Sequence, residues 1–126
     1  MASAIVRTID LENGCRLELA DLSRKLVGDR WVVTLEARLQ VPVQRSFLEQ
    51  AGEETGDFDD ISRVLGEEVV YVQRKEKVFV EDGEREAVFT ALCLQFEEGP
   101  LGYLTNPRFP GRLLRKQYEE KVRRRF

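Results

Sequence analysis

The chain reads as an α+β domain, an antiparallel sheet of about four strands with helices on one face, and three features lead to that reading. Residues 31–43 carry apolar side chains at every odd position (Trp31, Val33, Leu35, Ala37, Leu39, Val41, Val43), with Val32, Thr34, Glu36, Arg38, Gln40 and Pro42 in the other phase. A period of two is what a pleated strand with one buried face produces. Before it, Asn13-Gly14 and Gly28-Asp29 divide the chain into short alternating arms, which gives a three-strand meander. After it, apolar spacing moves to three and four between capping and stop residues, so helices take over around one later strand. At 126 residues the chain is sized for a single domain, 1–126, with one core.

Residues 4–22 form the first hairpin, with Ile5, Ile9 and Leu11 on one arm and Cys15, Leu17 and Leu19 on the other. A two-residue Asn-Gly turn would oppose Asp10 to Leu17 and split the apolar sets between faces. A loop of Glu12, Asn13 and Gly14, with Gly14 left-handed, opposes Leu11 to Cys15 and Ile9 to Leu17 and is preferred. Leu22 and Leu26 then change phase, which calls for a bulge near Asp21. A second hairpin at Gly28-Asp29 sets Leu26 against Trp31 and Leu22 against Leu35. Pro42, which donates no ladder hydrogen bond, suits a strand end or an edge.

From residue 44 the period is helical. Ser46 with Glu49 has the spacing of a capping box, and 52–56 reads as a polar loop. Phe58, Ile61 and Leu65 follow Asp57 and precede Gly66, which predicts a helix over 57–66. Residues 69–80 return to strand character, apolar in both phases at Val69 to Val72, so buried first and exposed later. The segment 84–97 fits a return strand or a helix. Asp82 as cap, Glu84 and Glu86 in the first turn and Gly99-Pro100 as stop favour helix. The Gly- and Pro-rich stretch 99–111 is expected to be irregular. Leu114, Tyr118, Val122 and Phe126 form one stripe of a basic amphipathic helix over 111–125.

Composition excludes more than it identifies. There is no histidine, the usual general base at neutral pH and the commonest metal ligand. Cys15 and Cys93 are too few for a disulfide framework and lack metal-ligand spacing, which points to a reducing, cytoplasmic setting. No window approaches the roughly 18 apolar residues of a membrane span, and Arg7 and Asp10 break the N-terminal apolar run, so no membrane partner or signal peptide is expected. Charge is divided unevenly: residues 1–107 hold 12 Lys or Arg against 21 Asp or Glu, and residues 108–126 hold 8 against 2. A basic end on an acidic body marks a nucleic-acid contact or an end that docks on its own body or on a partner.

Several constellations of residues admit both a functional and a purely structural reading. Asp57, Asp59 and Glu68 match positions one, three and twelve of a calcium loop, but Ile61 and Ser62 stand where an oxygen ligand and glycine belong, which favours a capped helix start. Asp21-Leu22-Ser23 resembles part of the DxSxxG signature of PilZ domains, which bind a cyclic dinucleotide. The resemblance covers three residues. Gly28 stands five after Ser23 rather than three, and no RxxxR precedes it, so no binding residue carries over, and turn stabilisation is the alternative reading. Arg24, Lys25 and Arg30 could grip a phosphate or simply be solvated. Glu67 with Glu68, or Asp59 with Asp60, would be the acid and base of a hydrolase, set in a segment, 49–68, with eight acidic residues and one basic.

The remaining candidates lie near the C-terminus. Tyr103, Arg108 and Phe109 sit on the constrained Gly-Pro segment, where aromatics make anchors or tuck into the core. Arg112, Arg115, Lys116, Lys121, Arg123, Arg124 and Arg125 complete the basic cluster. The expected function is a small cytoplasmic protein-interaction or regulatory module with no catalytic residue, metal or cofactor. Its partner would be another protein or its own copy, through an uncovered sheet edge or the terminal helix. Nucleic-acid binding by the C-terminal helix is the first alternative and a small carboxylate-dependent enzyme the second.

Overall fold

The structure is a computed structural model and describes residues 4–124. One antiparallel sheet contains β1 (Ala4–Asp10), β2 (Arg16–Asp21), β3 (Arg24–Lys25), β4 (Arg30–Pro42) and β5 (Glu68–Glu81). The helices are α1 (Arg45–Gln50), α2 (Phe58–Leu65), α3 (Arg85–Glu98), α4 (Pro100–Leu104) and α5 (Phe109–Arg123). β2 and its continuation β3 flank β4 on one side and β5 flanks it on the other, with β1 outside β2. The five strands therefore occupy four lanes in chain order, and β1 and β5 are the edges.

The first turn forms as its sequence dictates. Ile9 opposes Leu17, the Leu11 amide donates to the Cys15 carbonyl at 2.9 Å, and Gly14 takes a φ of 92° that disfavours a side chain. Asn13 adds a distant link: its Nδ2 donates to the carbonyls of Leu104 and Asn106 at 2.8 and 3.1 Å.

The second hairpin departs from expectation. No bulge occurs near Asp21: Asp21 opposes Leu35 and Arg24 opposes Val32 in one unbroken register. Leu22 thus faces Thr34, not Leu35, and Leu26 bonds Arg30, not Trp31. The Ser23 hydroxyl accepts the Thr34 amide at 3.0 Å and holds the ladder in step. The irregularities lie instead in β1 near Val6 and in β5, where Val78 and Phe79 oppose the single residue Val32 and Phe79 adopts a φ of 59°.

One face of the sheet holds the core. Leu17, Leu19, Leu35, Leu39 and Val41 meet Phe47 and Leu48 of α1, Ile61 and Leu65 of α2, Leu92 and Phe96 of α3, Leu104 of α4 and Leu113 and Leu114 of α5. Burying each such side chain contributes roughly 1.5–3 kcal/mol. The other face carries no helix, yet Val32, Thr34 and Glu36 on it are buried. The even phase of β4 was expected to face water. Instead β4 is covered laterally, because side chains from both neighbouring strands lean across it. Glu36 accepts from Arg74 Nε at 2.7 Å with Arg38 at 3.5 Å, Thr34 donates to Glu76 at 3.0 Å, and Gln40 donates to Glu18 at 2.8 Å.

Among the helices, α2 begins after Asp57 and ends at Gly66 (φ 83°) as predicted, and 85–98 is helix rather than strand. Three local expectations fail. Ser46 lies inside α1, whose N-cap is Gln44, so no capping box forms. Asp82 does not cap α3; its carboxylate accepts the Trp31 indole N–H at 2.9 Å, and a single 3-10 turn leads into the helix. The segment 99–111 is not irregular: Pro100 and Pro110 stand in the opening turns of α4 and α5, where a missing N–H costs nothing. Gly111 explains how closely α5 crosses α1, since a Cβ there would lie 2.1 Å from the Phe47 carbonyl oxygen and 2.6 Å from Ala51 Cβ.

Candidate interaction surface

The basic C-terminal helix meets the acidic segment of its own chain. Arg115 Nη1 and Nη2 donate to the two Asp57 carboxylate oxygens at 2.7 and 3.1 Å, Nη2 also donates to the Glu54 carbonyl at 2.6 Å, and Glu53 lies 3.8 Å away. This bidentate contact holds the Asp57 carboxyl below its ordinary range, chiefly through the Arg115 hydrogen bond, and raises the Arg115 guanidinium in return. One turn on, the Tyr118 hydroxyl donates to Asp60, which also pairs with Arg63. Of the carboxylates at calcium-loop spacing, Asp57 is held by a cation while Asp59 and Glu68 are exposed, and among the described residues no three Cys, Asp or Glu side chains are grouped to hold a metal ion.

Eight of the nine predicted interaction residues are described, and they separate into three sets. Arg115 points inward as described, and Phe109 is buried, stacked edge-on between Tyr71 at 5.5 Å and Tyr103 at 5.1 Å. Tyr103, Arg112 and Lys116 border the same aromatic groove, which Leu113 floors. Arg108, Arg123 and Arg124 are exposed at the two ends of α5. Arg125 lies outside the described residues.

Other candidates disperse. Asp21 accepts the Ser23 amide at 2.9 Å, a local turn bond, and with Ser23 it edges an open cleft whose far wall is Arg85, Glu86, Phe89 and Thr90. Arg85 lies flat over the Trp31 ring at 4.1 Å. Arg24 and Lys25 project into solvent, while Arg30 turns back to Glu81 at 3.1 Å. Glu67, Glu68 and Asp59 are exposed, and only Glu68 of the three borders a cleft, an open one shared with Asp10, Arg16 and Gln40. Both cysteines are free thiols. Burial pushes Cys15 up to about 11, and burial with the nearby Glu97 and Asp21 charges raises Cys93.

The strand expected over 69–80 is β5, and what the sequence reading missed is its exposure. Val69 to Val72 were expected to be buried in both phases, but only Val69 is; Val70 and Val72 lie on the uncovered face of an edge strand. With Val78 and Phe79, the latter 70% exposed, they line an edge that pairs with β4 on one side and with no strand on the other among the described residues. The signal was present as a run of valines on both sides of Arg74 to Lys77, but its meaning depends on strand order.

The chain matches no protein-family model, no curated protein and no solved structure. No helix among the described residues is long and apolar enough to cross a membrane.

Proposed function

We propose that the chain is a protein-interaction module without catalytic activity, working in the cytoplasm, and that it engages its partner by strand addition at the free edge of β5. The observation that carries this reading is the concentration of exposed large apolar residues, Val70, Val72, Val78 and Phe79, on one strand whose outer edge is unpaired among the described residues. Such an edge is a template for another strand unless something covers it. Two of the charge clusters elsewhere are answered within the chain, Glu36 by its two arginines and Asp57 by Arg115.

A photoreactive residue at position 72, introduced in living cells, is expected to give discrete protein adducts. The same residue at position 27 is the control, since Val27 is 76% exposed in the turn between β3 and β4 and is not part of β5. Equal labelling from both positions, or none from position 72, overturns the reading.

A second reading, nucleic-acid binding by α5, is favoured by the exposed Arg108, Arg112, Lys116, Lys121, Arg123 and Arg124. It requires an affinity that falls steeply with salt and is lost when the terminal arginines become glutamine. Absence of binding at low salt removes it.

A further inference from the structure

Resting on the reading of β5 as the binding edge, we propose that the strand added there is β5 of a second copy, in a two-fold register centred on Lys75. The argument is one of self-complementarity. A continuous sheet that keeps the helical layers of both copies on the same face needs a two-fold axis passing between a residue and its own counterpart, so naming the central residue fixes every pair.

With Lys75 at the centre, Arg74 meets the partner's Glu76 and Glu76 meets the partner's Arg74. Gln73 meets the partner's Lys77. Beyond them, Val72 meets the partner's Val78 and, because of the extra residue at that point, Phe79 as well. Neighbouring centres do worse. Arg74 at the centre sets Val72 against the partner's Glu76, and Glu76 at the centre sets Lys75 against the partner's Lys77 and Arg74 against the partner's Val78. Gln73 at the centre sets Val72 against a guanidinium, and Lys77 at the centre sets Val78 against a carboxylate.

Charges along an edge strand ordinarily discourage pairing, and the sequence Arg74-Lys75-Glu76-Lys77 would do so against an unrelated strand. In this register the same charges select one partner. The single like-charged contact is Lys75 with its own copy, whose long stems let the two ammonium groups diverge. Phe79 gains most: its left-handed backbone and exposed ring, unsupported in one chain, find the partner's Val72.

Sedimentation of the full chain across concentration is expected to show a monomer–dimer equilibrium. Val72→Lys should weaken it at least tenfold while leaving the thermal transition of the fold in place, because Val72 is exposed. Lys75→Thr, which removes the central repulsion, should tighten it severalfold. Register is read by cysteine linkage in a Cys93→Ser background. Residues opposed across antiparallel strands have Cα atoms about 4.5–5.5 Å apart, within disulfide reach, so Lys75→Cys should give a covalent dimer under mild oxidation. Lys77→Cys should give none. A dimer indifferent to Val72→Lys, or one linked through position 77 and not 75, overturns the proposal. A strict monomer that still forms adducts from position 72 removes self-pairing and keeps the interaction reading; a strict monomer without adducts removes both.

Discussion

At the corner where α5 crosses α1 and α2, Arg115 and Tyr118 reach Asp57 and Asp60, whereas along β5 the side chains of Val72, Val78 and Phe79 stand exposed. The corner joins groups some sixty positions apart by charge-assisted hydrogen bonds. The edge leaves apolar surface and backbone amides open. Strong charge asymmetry in a sequence therefore need not advertise an outside partner, because the fold can close it on itself. A run of valines, which looks like core, becomes surface when topology places it at the margin of a sheet.

The contrast can be broken most severely at the corner. Gly111→Ala puts a methyl group where the Phe47 carbonyl and Ala51 already stand, so α5 must lift from α1; a loss of about 3 kcal/mol in denaturant unfolding is expected. A loss below about 0.5 kcal/mol would show that the crossing is looser than described.

Next comes the ion pair. Arg115→Ala should cost about 1–2 kcal/mol, since the guanidinium is mostly buried and doubly bonded to Asp57. Because the Arg115 hydrogen bond depresses the folded carboxyl of Asp57, that stabilisation is complete above the unfolded carboxyl value near ~4 and fades as pH falls through the lower folded value. Asp57→Asn should remove this part of the acid slope in a series of urea melts. An unchanged slope would mean that the pair does not form in solution.

At the edge the sign reverses. Phe79→Gly relieves a left-handed conformation that phenylalanine adopts poorly, and should stabilise the isolated monomer by about 0.5–1 kcal/mol while weakening any association through β5. Coupled loss of both monomer stability and association would instead make Phe79 part of the core. The smallest effect belongs to the free end of α5. Arg124→Gln, exposed and unpaired among the described residues, should change stability by less than about 0.5 kcal/mol. A larger loss would extend the internal docking of the basic helix to its last turn.

Much of the sheet was legible because alternation in β2 and β4 is set by burial on one face, and the first turn was legible because only one loop length keeps Ile9 and Leu17 together. Leu22 and Leu26 misled because they were assigned to the core on polarity alone. In the fold Leu22 shares the uncovered face with Ala20 and Val32, where crowding between strands buries side chains without any helix above them. The prolines at 100 and 110 read as interruptions although each opens a helix. Of the site, the acidic and basic segments were visible separately, and their docking was one of the readings allowed. That Arg115 rather than its neighbours makes the contact follows from which face of α5 Gly111 and Leu114 turn toward α1 and α2. The exposed edge could not be read, since alternation does not say which strand lies last in a sheet.

The side-chain amide of Asn13 ties this geometry to time. Its two acceptors belong to residues made more than ninety positions later, so the opening hairpin is latched only after the chain has emerged as far as Asn106. A nascent chain that stops short of Leu104 possesses the five described strands and no latch, and its core still lacks the part of the roof that Leu104, Leu113 and Leu114 supply.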